Sequence, residues 1–196
     1  DFLVERKYGR EMTADDLRSN STNITYDIDL GVSKTITPMV SVNVILDELT
    51  GDEIKGKGYG ALNIHSGTSE PMSLQGRFNI VKGRYLFTFQ SFFKKPFDLR
   101  TEHDNYIEWN GDPYNANINF EAVYRAERVS FAPLGLMLGS RSTVANSARG
   151  DVFVVASLRD SLYKPNIQFA LDFPSASIAV TDPELALVFQ QMQKDP

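Results

Sequence analysis

Apolar and polar residues alternate at a period of two along most of the chain, the period of a strand whose successive side chains point to opposite faces. The alternation begins at Asn23. Ile24, Tyr26, Ile28, Leu30 and Val32 share one face against Thr25, Asp27, Asp29 and Gly31, and Val40, Val42, Val44 and Leu46 repeat the pattern. Asp47 to Lys57 reads as a charged turn around Gly51-Asp52. Gly58 to Ile64 reads as a third strand, its glycines permitting a bulge or a close backbone approach. After a turn from Gly67 to Pro71, Leu74, Gly76, Phe78 and Ile80 share a face. Val81-Lys82-Gly83-Arg84 is then expected to turn the chain into an aromatic strand carrying Tyr85, Phe87 and Phe89 on one side.

A Lys94-Lys95-Pro96 interruption leads to Tyr106–Trp109 and to Asn110-Gly111-Asp112-Pro113, a tight turn by composition. Ile118 to Tyr124 alternates again. Phe131 to Gly135 breaks the pattern, and Gly139 to Gly150 is small and polar, as in a loop. Order is expected to resume at Asp151: Val152 to Leu158 is apolar on both faces, and Ile167, Phe169, Leu171 and Phe173 alternate with polar neighbours. Only the last segment changes period. Thr181-Asp182-Pro183-Glu184 predicts a helix start, with an Asp cap before a first-turn proline, and Leu185, Val188, Phe189 and Met192 form a helical stripe. The charge-rich residues 1–22 read as a peripheral segment with at most a helical turn over Thr13 to Arg18. Residues 23–180 then form the β domain, and 181–196 an amphipathic helix.

About nine short strands without intervening helices predict an all-β, antiparallel fold. Two arrangements satisfy the pattern: a closed sandwich with the aromatic faces as its core, or one curved sheet whose apolar face lines an open groove. Composition narrows the function. A net charge of −5 and a pI near 5.1 argue against a nucleic-acid partner. The absence of cysteine excludes disulfides and Cys-ligated zinc. No stretch approaches the ~20 apolar residues that span a bilayer. Asp1 and Pro196 read as cut ends, so the chain is expected to be a piece of a longer protein.

Enzymatic chemistry finds little footing. His65 and His103 are the only histidines, without a metal-ligand spacing. Glu102, Asp104 and Glu108 would share a strand face, which a carboxylate pair or a calcium site would require, but charged residues on the outer face of a half-buried strand need no special role. Arg149-Gly150-Asp151 reads as the end of a loop rather than an adhesion motif. Neither a nucleophile elbow nor a phosphate-binding loop occurs. No catalytic residue, metal or cofactor is expected.

A family resemblance rests on motifs in order. Gly58-Tyr59-Gly60-Ala61-Leu62, Leu74-Gln75-Gly76-Arg77-Phe78-Asn79-Ile80, Lys82-Gly83-Arg84-Tyr85-Leu86-Phe87, Lys95-Pro96-Phe97 and Ile107-Glu108-Trp109-Asn110-Gly111-Asp112-Pro113 together resemble the TamB C-terminal domain, in a Bacteroidetes-like form. Asp151-Val152-Phe153-Val154, Leu158-Arg159-Asp160 and Lys164-Pro165-Asn166-Ile167-Gln168-Phe169 are similar to the family's later strands, so the resemblance covers roughly Gly51 to Pro174. Residues 1–50 match in strand rhythm alone, and the family's segment after the helix is missing. The resemblance implies an elongated, curved antiparallel sheet, a β-taco, with a hydrophobic groove and a short C-terminal helix. It further implies a periplasmic location in a Gram-negative bacterium, an inner-membrane anchor outside this sequence, phospholipid as cargo and an Omp85-type (TamA-like) outer-membrane barrel as partner.

Parity assigns Leu62, Ile64, Phe78, Ile80, Tyr85, Phe87, Phe89, Trp109, Ile118, Phe120, Phe169 and Leu171 to the inner face, where they would meet acyl chains or, in a closed fold, pack as core. Nine strands side by side predict a trough of ~40 Å, longer than the ~15 Å of one leaflet's hydrocarbon. The helical stripe of Leu185, Val188, Phe189 and Met192 would plug that trough, dock on a partner or cap the sheet end. An exposed edge strand pairing with the barrel is the alternative role.

Overall fold

A computed structural model describes residues 6–7, 10–11, 24–35, 39–89, 93–133 and 147–194. Two short strands, β1 (Arg6–Lys7) and β2 (Arg10–Glu11), form an antiparallel ribbon of their own. The helical turn expected over Thr13 to Arg18, and most of the loop expected from Gly139, lie outside the described residues.

All other strands among the described residues belong to one antiparallel sheet: β3 (Thr25–Val32), β4 (Val40–Asp47), β5 (Asp52–Gly67), β6 (Ser73–Phe89), β7 (Phe93–Leu99), β8 (Tyr106–Gly111), β9 (Asn117–Ser130), β10 (Arg149–Ser161) and β11 (Asn166–Asp172). Three sequence expectations change. The Lys94-Lys95-Pro96 interruption lies within strand β7, paired with Thr88, Phe87 and Leu86 of β6. The charged stretch Asp52 to Lys57 is strand, not turn: Glu53, Lys55 and Lys57 face outward while Asp52 and Ile54 are buried, the alternation of a half-buried strand. Val81 to Arg84 does not turn the chain either. It continues β6 through a bulge, with Ile80 opposite Gly58 and Lys82 opposite Lys57, leaving Val81 as the extra residue. That one residue moves the inward set from even to odd numbers, so Phe78, Ile80, Tyr85 and Phe87 all face one way.

β3 and β4 lie end to end along one edge of β5, and β8 and β7 likewise along β6. The nine strands therefore fill seven positions across the sheet, a span of ~29 Å rather than the ~40 Å expected from nine abreast. Between β8 and β7 the buried Asn105 stitches the gap. Its carbonyl accepts from Ile80 N at 2.8 Å, its amide donates to the Arg100 carbonyl at 2.7 Å, and its Oδ1 accepts from Glu121 N at 3.0 Å.

The sheet curls onto itself. Phe87 on β6 and Phe169 on β11 have β7, β9 and β10 between them, a separation of ~19 Å in a flat sheet, yet their rings are 5.1 Å apart. Close backbone approach permits the bend. A Cβ on Gly58 would stand 1.8 Å from the Asn79 carbonyl oxygen, and Gly76 adopts φ +125° with the Ala61 oxygen 2.1 Å from where its Cβ would be. The principal core fills the curl, with Ile54, Phe78, Ile80, Tyr85, Ile118 and Phe120 among its buried members.

Two helices follow β11: α1 (Ile178–Thr181), capped by the Ser177 hydroxyl, and α2 (Pro183–Lys194), capped by Asp182, whose carboxylate accepts from Glu184 N at 3.2 Å and Leu185 N at 3.0 Å. They close a second cluster in which Leu185 and Phe189 are buried with Phe131 and Val152, and Phe173 stacks 4.3 Å from Phe189.

Candidate functional site

Two rungs across the inner face define the site. One runs Val32, Gly60, Phe78, Ile107, Ile118; the other runs Leu30, Leu62, Gly76, Trp109. The glycines leave the sheet bare between larger side chains. Above them lies an apolar cavity of about 550 Å³ whose lining includes Leu30, Val42, Leu62, Phe78, Trp109 and Leu162, within the ~300–1,000 Å³ usual for small-ligand pockets. The Trp109 indole N–H donates to the Pro113 carbonyl at 3.2 Å, which fixes the ring and leaves its apolar surface to the cavity.

From this cavity the apolar face continues outward along β3. Tyr26, Ile28 and Leu30 face the groove side and are exposed, Ile28 to 42% and Leu30 to 50%, and Ile24 just before the strand is exposed too. A row of large apolar side chains on an edge strand is uncovered surface, since a folded chain of this size buries such rows when it has the means. At the other end the groove is packed. Tyr85 is fully buried, its hydroxyl donating to Asp52 at 3.0 Å while Thr88 N donates to the other Asp52 oxygen at 2.9 Å. Burial first, and then the Asp52 charge, push the Tyr85 phenol far above its ordinary range.

The inner-face residues thus divide. Phe78, Ile80, Tyr85, Ile118 and Phe120 are buried in the principal core. Leu62, Phe78 and Trp109 line the cavity, and Ile64, half-buried, lies across from Ile28 on β3. Phe87 belongs to an aromatic group with Tyr85, Phe97 and Phe169, away from the cavity; Phe169 is 47% exposed and Leu171 packs toward the helices. The side chains of Phe89 and Met192 lie outside the described residues. In α2, Leu185 and Phe189 are covered by the chain's own Phe131 and Phe173, Val188 is half-buried, and Leu187 is exposed. Sequence reasoning left Leu30, Val32, Val40, Val42, Val44, Ile107 and Leu162 out of the site. The alternation that marks 24–32 and 40–46 as strands was the available signal.

Outward-facing charges hold the edge. His65 on β5 bridges two carboxylates, Nδ1 2.9 Å from Asp27 of β3 and Nε2 2.8 Å from Glu70 of the β5–β6 turn. The hydrogen bond to Glu70, then that to Asp27, raise its pKa above the ordinary histidine value. Asn63 adds a hydrogen bond to Asp29 at 2.9 Å. Of the carboxylates considered for catalysis, Asp104 pairs with Arg77 at 2.7 Å and Glu102 accepts from Thr101. Among the described residues, no helix is long and apolar enough to cross a membrane.

One curled antiparallel sheet, apolar within and charged without, capped by helices at one end and open along an edge strand, defines a β-taco with a hydrophobic groove. The chain belongs to the TamB family: the family model of the TamB C-terminal domain matches residues 2–194, well beyond the Gly51 to Pro174 stretch of the resemblance. Comparison with curated proteins and with solved structures finds no match. Membership carries the family's broad role, in the translocation and assembly module and in membrane assembly or lipid transport, in the Gram-negative envelope alongside an outer-membrane partner.

Proposed function

We propose that the groove receives phospholipid acyl chains, and that the chain serves in the periplasm as part of a longer bridge, anchored in the inner membrane, that passes lipid toward the outer membrane. The observation that carries this reading is the continuity of the cavity at Leu62 and Trp109 with the exposed apolar row of β3. At ~0.8 kcal/mol per buried CH₂, shielding even part of an acyl chain there outweighs a few unfavourable contacts, and no catalytic group is required. Transfer is then physical rather than enzymatic.

Trp109 is the sole tryptophan, which makes the test direct. Phospholipid brominated along its acyl chains is expected to quench the fluorescence of the purified chain, while unbrominated lipid protects Trp109 from aqueous iodide. Emission indifferent to brominated lipid would overturn the reading.

A second role is supported by the sheet edge. The sheet order ends at β3, so its outer backbone can pair with a strand of an Omp85-type barrel by β-augmentation. Cross-linking from Asp29 to the barrel, retained when the groove is blocked at Leu62, would separate docking from lipid binding.

A further inference from the structure

On the face opposite the groove, β5 and β6 pair Lys55-Gly56-Lys57 with Lys82-Gly83-Arg84, and the register puts Lys57 directly across from Lys82 and Lys55 directly across from Arg84. Like charges directly opposite one another destabilise a sheet. Two such rungs stand one residue apart in a chain of net charge −5. The outer rung is neutralised: Glu53 holds Lys55 at 2.6 Å and Asp98 holds Arg84 at 2.7 Å. For Lys57 and Lys82, no carboxylate comes within ion-pair distance among the described residues, and the β4 residue across from Lys57 is Ser41.

These positions line a depression of about 750 Å³ in the outer surface, shared with Ser41, Asn43 and Leu86. The bulge at Val81 lies beside it and adds local twist. Side chains rooted ~4.8 Å apart across strands can bring two ammonium groups to one compact oxyanion, with the Ser41 hydroxyl at the rim; the Asn43 amide is held by Glu53. Lysine suits this task as a mobile point charge.

We propose that this depression is a phosphate-binding site, with Lys57 and Lys82 supplying the charge, Ser41 a hydrogen bond, and the phosphate either a lipid headgroup or a free phosphate. The site is independent of the groove. It sits on the other face and does not rest on acyl-chain binding.

The test uses the purified chain in phosphate-free, low-salt buffer, with inorganic phosphate titrated by calorimetry and flotation measured on phosphatidylcholine vesicles with and without phosphatidylglycerol. Wild type is expected to bind in at least one arm. Lys57→Gln/Lys82→Gln should bind about tenfold more weakly, the scale of lost charge-assisted hydrogen bonds. Lys57→Arg/Lys82→Arg keeps the charge and should bind. Phosphate binding without flotation assigns a soluble phosphate; flotation that requires phosphatidylglycerol assigns the headgroup. The glutamine variant should also melt higher than wild type without phosphate, because the repulsion is gone, and phosphate should raise the melting temperature of wild type alone. Wild type silent in both arms, or a glutamine variant that binds as wild type does, overturns the site.

Discussion

The buried Asp52 shows how single residues set this fold. Its two oxygens take the Tyr85 hydroxyl and the Thr88 amide, so a carboxylate at the start of β5 fixes the aromatic half of β6 against it. Tyr85→Phe removes one donor and leaves a buried carboxylate oxygen short of a partner, which should cost about 1–3 kcal/mol in urea unfolding; an unchanged midpoint would show that water replaces the hydroxyl. Gly58 acts through space rather than polarity. A methyl there meets the backbone of β6, not a movable side-chain end, so Gly58→Ala should destabilise by about 3 kcal/mol. Gly31 is the control, with nothing within 4 Å of its would-be Cβ; a Gly31→Ala variant as damaged as Gly58→Ala would refute the close-approach account.

At the scale of elements, β3 is both the open rim of the groove and the strand held by His65. Because the His65 pKa is raised in the folded chain, the clamp contributes fully below the ordinary histidine value of ~6.5 and is lost as pH rises through the higher folded value. Hydrogen exchange of β3 amides should therefore quicken, relative to His65→Gln, as pH climbs through that window; a difference between the two proteins that stays constant with pH would show that the bridge does not hold the edge. The strands themselves were legible because each carries its own alternation. The bulge in β6 was not, since a parity change beside Gly83 is also what a turn looks like, and only the length of β5 running beside it distinguishes the two. Asp52 to Lys57 looks like a turn for a related reason: its charges surround Ile54, the one large apolar residue that marks the inward face there. In α2 the Asp182-Pro183 start was plain, but what its stripe would cover was not. Phe131, which meets Phe189 at 5.7 Å, lies beyond a pattern break and far away in sequence.

For the whole molecule, curl decides function. Parity puts residues on a face but says nothing of how far that face closes. Phe78, Ile80 and Phe120 ended in a packed core, while Leu30 and Ile28, equally apolar and equally regular, ended exposed at the rim. The difference is position across the sheet: central strands fold over one another, and β3 has a neighbour along one edge in the sheet order. A charge at Phe87 would thus disturb an aromatic cluster that shapes the fold, whereas Leu30, half in solvent already, can carry one without collapse. That contrast supplies the most direct test. Native mass spectrometry of the purified chain, with organic extraction of whatever accompanies it, should find phospholipid on wild type and on Lys57→Gln/Lys82→Gln. It should find little on Leu30→Glu/Leu62→Glu that keeps wild-type β circular dichroism. Lipid-free wild type after exposure to phospholipid vesicles, or equal lipid on the folded groove variant, would contradict the assignment of the groove to acyl chains.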